Sequence, residues 1–189
     1  TKRSVTLTSA SDEKIYDKTA LTNNTVTVSG DGFVTGEGAT YSVTGSQTDV
    51  GESANSFTYT LNEGTKAENY EINTVAGALK VTPYTEAITV TITEHSGDAK
   101  YDGQIHNVTG YDVMISDPLY TTADFSFSGN AAISGTDAGT YEMNLTAADF
   151  TNTNSNFEKV TFEIVDGELE ITKRSVTLTS ASDEKIYDK

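Results

Sequence analysis

The clearest signal in the chain is strict alternation of apolar and polar residues over short runs. Ser4–Thr8 reads SVTLT, with Val5 and Leu7 on one face, as a half-buried strand requires. Thr25–Ser29 (TVTVS) and Ala39–Thr44 (ATYSVT) alternate in the same way. Phe57–Leu61 (FTYTL) puts Phe57, Tyr59 and Leu61 on one face. Turn residues separate these runs: Ser9–Glu13, Gly30-Asp31-Gly32 and Thr48-Asp49-Val50-Gly51. Tyr70–Asn73, the Ala76-Gly77 turn and Leu79–Thr82 read as a closing hairpin ended by Pro83. Helical periodicity is absent from every stretch of useful length, and Asn62–Glu68 has room for one helical turn.

After Pro83 the pattern restarts. Ala87–Thr93 (AITVTIT) matches SVTLT, and Lys100-Tyr101-Asp102-Gly103 matches Ile15-Tyr16-Asp17-Lys18. Thr136-Asp137-Ala138-Gly139 matches Thr48–Gly51, Asn156-Phe157 matches Asn69-Tyr70, and Gly167–Thr172 matches Gly77–Thr82. The offset drifts from 85 residues (Tyr16 to Tyr101) to 90 (Gly77 to Gly167), as loop insertions would make it. A second repeat is perfect. TKRSVTLTSASDEKIYDK stands at Thr1–Lys18 and again, unchanged, at Thr172–Lys189. The chain therefore reads as two diverged modules, 1–83 and 84–172, followed by 173–189 as the incomplete start of the next unit. A natural chain built this way is expected to continue in both directions.

Short strands with frequent turns in modules of this size predict an all-β fold. The expected form is tandem small Ig-like β-sandwich modules arranged as an elongated rod, with β-grasp-like modules as the alternative. The linkers Pro83–Glu86 and Lys173-Arg174 are short enough to make such a rod stiff. Residues 173–189 carry only a first strand and a Tyr-Asp hook. Alone they cannot offset roughly 1–2 kcal/mol of backbone entropy per ordered residue. Order there would need a following repeat or the sheet edge of a neighbouring chain.

Composition narrows the function. The net charge is −16, from 12 basic and 28 acidic residues among 189. That argues against a nucleic-acid binder, which needs clustered Lys and Arg, and against an anionic membrane surface. There is no Cys, hence no disulfide and no thiol chemistry. No apolar run approaches the ~20 residues of a membrane helix, so direct membrane insertion is not expected.

In order along the chain, YD[GK], TD[VA]G, Asn-aromatic and a closing G-x-L-x-[IV]-T resemble the MBG/YDG repeats of bacterial, Gram-positive (Firmicutes) surface proteins. The resemblance covers almost the whole chain. Lys18 departs from it, standing where Gly is expected, so the turn there must avoid positive φ or accept strain. The resemblance implies an extracellular, cell-wall-attached adhesin or surface filament in which these modules form the stalk and project a binding head. The second reading is a weak mucin- or glycan-binding repeat acting by avidity, with Tyr84, Tyr111 and Tyr120 as its candidate aromatic platform. Expected partners are neighbouring repeats of the same chain and, in the second reading, host glycans or mucin.

Candidate sites follow from the repeated motifs. Tyr16-Asp17 and Tyr101-Asp102 read as a sheet-edge tyrosine followed by a turn-capping aspartate. Asp49 and Gly51, like Asp137 and Gly139, read as turns. No catalytic residue and no resident cofactor is expected: a nucleophile–base pair, paired carboxylates in an apolar pocket and a phosphate loop are all missing from the sequence. The weak metal candidate is calcium on Asn152, Asn154, Asn156 and Glu158, which alternate as oxygen donors. Strand-like spacing does not wrap a sphere, which argues against it.

Overall fold

The computed structural model describes residues 1–189 and contains strands and single 3-10 turns, with no α-helix. The first sequence module holds β1 (Arg3–Ser9), β2 (Asp12–Ile15), β3 (Val26–Gly30), β4 (Ala39–Val43), β5 (Gly51–Asn55), β6 (Phe57–Leu61), β7 (Tyr70–Val75) and β8 (Gly77–Thr82). The second holds β9 (Ile88–Glu94), β10 (Gly97–Lys100), β11 (His106–Thr109), β12 (Tyr111–Ile115), β13 (Phe125–Phe127), β14 (Ala132–Gly135), β15 (Gly139–Glu142), β16 (Phe150–Asn152), β17 (Val160–Val165) and β18 (Glu168–Thr172). The all-β class expected from the alternation holds. The expected helical turn after Asn62 is a 3-10 turn at Ala67–Asn69.

In the first module β1 lies between β3 and β7, antiparallel to β3 and parallel to β7. A second sheet has the order β2-β8-β5, with β2 parallel and β5 antiparallel to β8. The second module repeats both sheets, as β12-β9-β17 and β10-β18-β15. The registers coincide as well. Ile15 faces Thr82 as Lys100 faces Thr172, and Gly51 faces Val81 as Gly139 faces Ile171. One pairing scheme is thus used twice, across modules whose sequences have drifted apart.

The closing hairpin is a correction. Tyr70–Val75 and Gly77–Thr82 adjoin in sequence but do not pair: β7 joins β1 in one sheet and β8 joins β2 in the other. The strands β1 and β2 make the same change of sheet at Ala10-Ser11. The two crossings touch. A Cβ on Gly77 would stand 2.4 Å from the Ala10 carbonyl oxygen, so only glycine lets the backbones come this close. Gly167 repeats the arrangement, its Cβ position lying 2.5 Å from the His95 carbonyl oxygen.

The chain resolves into two compact units. The first comprises residues 1–89 with 116–126 and 152–161, and the second 90–115, 127–151 and 162–189. Val5, Leu7 and Tyr70 anchor a core in the first, packed by Val26, Phe33, Tyr41, Phe57 and Ile72. Burying each such aliphatic side chain contributes about 1.5–3 kcal/mol. In the second unit Phe127 stacks on Phe150 at 4.9 Å, and the edge of Tyr111 meets both rings at 5.2 and 5.4 Å.

Residues 173–189 form no strand and join no sheet. Val176, Leu178 and Tyr187 are exposed.

Candidate functional site

The repeated Tyr-Asp turn is the best-defined site, and both copies are built alike. Tyr16 N–H donates to the Thr82 carbonyl and Tyr101 N–H to the Thr172 carbonyl, each at 2.9 Å. These bonds extend the β2–β8 and β10–β18 ladders by one residue, after which the aspartate turns the chain. Asp17 Oδ1 accepts from the Thr19 N–H at 2.9 Å and its hydroxyl at 2.7 Å; Asp102 Oδ1 accepts from the Gln104 N–H at 2.8 Å. In both copies the turn places a left-handed residue after the aspartate. Gly103 supplies it freely at φ 79°, whereas Lys18 adopts φ 66° against its own Cβ. The expected conflict at Lys18 is thus resolved as accepted strain.

Charge reinforces the turn. The Lys14 ammonium lies 2.6 Å from Asp17 Oδ1, and with the Thr19 bonds it brings the Asp17 carboxyl down to about 2. Asp102 is held below the usual carboxylate range, mainly by the Gln104 N–H and then by His106, whose Nε2 is 3.0 Å away. Lys14 is therefore occupied as an ion-pair partner.

What covers the turn differs between the copies. Tyr16 is buried, its ring meeting Phe157 edge-on at 5.4 Å. Tyr84 and Tyr120 pack against the same phenyl ring at 5.8 and 5.1 Å, so residues of both sequence modules share this cluster within the first compact unit. The Lys18 ammonium stands 5.9 Å from the Phe157 ring centre and 3.7 Å from Asp124 Oδ2. Those contacts give a reason for lysine where the repeat pattern has glycine. Tyr101 has no comparable cover and is 38% exposed.

The aspartate of the TDxG turn joins the same junction. Asn156 donates from Nδ2 to Asp49 Oδ1 at 3.0 Å and accepts from the Val50 N–H at 2.7 Å. Gly51 follows at φ 145° and opens β5. In the second module the Asp137 carbonyl accepts from the Tyr141 hydroxyl at 3.0 Å, and Gly139 opens β15.

The calcium candidates lie in this loop, where their side-chain oxygens accept protein hydrogen bonds. Asn152 Oδ1 takes the Tyr120 hydroxyl and the Asn154 N–H, both at 3.0 Å. Asn154 Oδ1 takes the Asn156 N–H at 3.0 Å, and Asn156 Oδ1 takes Val50. The Glu158 side chain is exposed, while its N–H donates to the Tyr84 carbonyl at 3.0 Å. The three asparagines thus build successive turns that hold the loop against Asp49 and Tyr120.

Two further carboxylates tune the junction. Burial pushes Asp124 up, but bonds from Asn154 and Thr121 and the nearby Lys18 outweigh it, leaving the carboxyl below its ordinary value. Asp117 accepts the Tyr84 hydroxyl at 2.5 Å, which lowers the acid and raises the phenol. Tyr120 is pushed up to about 12 by its own burial and by Asp124. The proposed aromatic platform is spent on this packing: Tyr84 and Tyr120 on Phe157, and Tyr111 on Phe127 and Phe150.

Sequence reasoning missed the residues at the sheet crossings. Glu94 is 3% exposed, and its carboxylate accepts from the Leu145 N–H at 2.8 Å and the Gly167 N–H at 2.9 Å. In the first module Ser9 and Asn55 do this work. Ser9 Oγ accepts from the Gly77 N–H at 2.9 Å and donates to the Asn55 carbonyl at 2.5 Å, while Asn55 Nδ2 ties Ala10 and Asn23. A signal was present: Glu94 continues the inward phase of Ile88, Val90 and Ile92, as Ser9 continues that of Val5 and Leu7.

Comparison with known families places a match on the second module. Residues 88–173 match the model of the MBG domain. No curated protein and no solved structure matches the chain.

Proposed function

We propose, taking as premise that residues 88–173 are an MBG-type module, that this chain is a structural spacer of an extracellular, cell-wall-attached adhesin or surface filament, whose repeats carry a binding head away from the envelope. The observation that carries this reading is the use of the repeated side chains. Tyr16 packs on Phe157, Asp49 bonds to Asn156, and Asp17 is taken up by Thr19 and Lys14, so these side chains spend their polar atoms and rings inside the fold. A motif consumed in joining one repeat to the next serves continuity of the chain. The strong negative charge keeps long, repetitive chains apart and soluble.

Length is the function of a spacer, so length is what to measure. Strands rise about 3.3 Å per residue, and a module of this size then spans roughly 35–40 Å. Small-angle scattering on one, two and four tandem units should give a maximum dimension that rises in proportion to unit number. A dimension growing only as the cube root of mass would exclude a spacer. A glycan array probed with a single unit tests the second reading, which now lacks the aromatic platform it needed; specific glycan capture would restore it.

A further inference from the structure

Lysine stands at position 18 at the cost of a left-handed backbone, φ 66°. Its side chain ends beside Asp124, and Asp124 in turn holds Asn154. The Lys18 ammonium is 3.7 Å from Asp124 Oδ2, while Asn154 Nδ2 donates to Asp124 Oδ1 at 2.6 Å. An amine and a carboxamide thus stand at the two oxygens of one carboxylate, all three within the first compact unit.

An ion pair alone does not account for the arrangement. At 3.7 Å the ammonium is outside hydrogen-bond reach of Oδ2. That oxygen already accepts the Thr121 N–H and hydroxyl, each at 2.8 Å, and these bonds fix the carboxylate. Asn154 is fixed as well. Its N–H donates to Asn152 Oδ1 at 3.0 Å, and its own Oδ1 accepts the Asn156 N–H at 3.0 Å. Water has little access: Asp124 is 9% exposed, and Phe157, over which the ammonium stands at 5.9 Å, is 2% exposed.

These are the parts of an amine–amide exchange. The lysine amine becomes a nucleophile once it loses its proton, and Asp124 is the base beside it. The Asn156 N–H points at the amide oxygen, where negative charge gathers as the amine adds. The same Asp124 carboxyl touches the amide nitrogen, which must gain protons to leave. Fixed placement of the partners substitutes for high concentration. We propose that Lys18 and Asn154 form an intramolecular amide cross-link, with Asp124 as the proton carrier. Lys18 Nζ bonds to Asn154 Cγ and the Cγ–Nδ2 bond breaks. Starting from the ammonium, Nζ gives up two protons and Nδ2 gains two, both passing through Asp124. One ammonium ion leaves, and no oxidant or outside reactant takes part.

The cross-link stands independently of the spacer reading. In a chain loaded end to end it would hold residues 18 and 154 together and shield the stretch between them from extension. The second module has no counterpart, since Gly103 stands at the position of Lys18.

Intact mass under denaturing conditions reads the reaction directly. The unchanged chain, folded and incubated at neutral pH, should be lighter than its sequence by one ammonia. Trypsin should then fail to cut after Lys18 and release residues 15–66 joined to 101–159. Lys18→Arg keeps the charge but offers no comparable nucleophile, and Lys18→Gly restores the repeat pattern and removes the backbone strain. Both should give the β signal of the unchanged chain in circular dichroism and both should show the full mass. Asp124→Asn, of the same shape but unable to carry the proton, should keep the full mass too. The unchanged chain held in urea throughout should not react, which separates folded geometry from bare reactivity. Four results would each overturn the proposal: the full mass in the folded unchanged chain, ammonia loss that persists in Lys18→Arg, ammonia loss undiminished in Asp124→Asn, or loss of water in place of ammonia, which would put the bond on Asp124.

Discussion

Thr1–Lys18 and Thr172–Lys189 are the same 18 residues in two conditions. In the first, Val5 and Leu7 are inaccessible and Tyr16 is 6% exposed. In the second, Val176, Leu178 and Tyr187 are 77%, 92% and 83% exposed, with no strand formed beyond Thr172. Intrinsic propensity is identical, so it cannot be what makes the first copy a strand pair. The difference is the set of partners: β3, β7 and β8 supply hydrogen-bonding edges and an apolar surface that the free copy lacks. A strand here is a property of its neighbours, and the sequence supplies only compatibility.

That comparison can be pressed with paired substitutions, the same change at both copies, read by urea unfolding. Leu7→Ala should cost about 2–5 kcal/mol, the range for deleting a buried leucine side chain, while Leu178→Ala should fall within about 0.5 kcal/mol of the unchanged chain. Equal effects would mean that the free copy is not free. Tyr16→Leu should cost about 1–3 kcal/mol through lost packing on Phe157, with Tyr187→Leu near zero. Ser9→Ala strands the Gly77 N–H and should cost about 1–2 kcal/mol; Ser180→Ala should be silent.

The smallest effect concerns pH. Asp17 is lowered to about 2 from an ordinary 3.8. A depressed carboxylate stabilises the fold above its unfolded value and loses that contribution as pH falls through its folded value. The Asp17 share should therefore be fully present above about pH 4 and fade as the pH drops to about 2. Carboxyl chemical shifts followed by NMR should place the Asp17 midpoint near 2, and Lys14→Ala should move it upward. A midpoint near 4 in the unchanged chain would mean that the Lys14 and Thr19 bonds do not persist in solution.

How much of this was legible before the structure follows from locality. Alternating strands such as β1, β3, β4, β6 and β9 announce themselves because one face is apolar. β5 (GESAN) does not, since it sits at a sheet edge with a single buried residue, Asn55. The strands β7 and β8 were visible but misassigned as partners, because adjacency in sequence favours a hairpin and nothing local encodes a parallel pairing some 67 residues away. The Asp17 turn was readable from its own residues. Its cover was not: Phe157 and Asn156 lie more than 100 positions from Tyr16 and Asp49. Glu94 was overlooked because a charged residue at the end of an apolar run reads as the strand leaving the core, though here it is the strand's last buried contact.

The parallel pairing of β1 with β7 and of β2 with β8 has a mechanical meaning. The chain comes into the first module along β1 and leaves it along β8. Tension applied at those two ends draws β1 backward against β7 and β8 forward against β2. Each pair then slides along its own axis, and its backbone hydrogen bonds bear the load together. An antiparallel hairpin pulled at its two free ends would open one bond after another. A module wired in this way resists stretching in shear, with the Ser9–Gly77 crossing as the point where the two loaded sheets are pinned to each other.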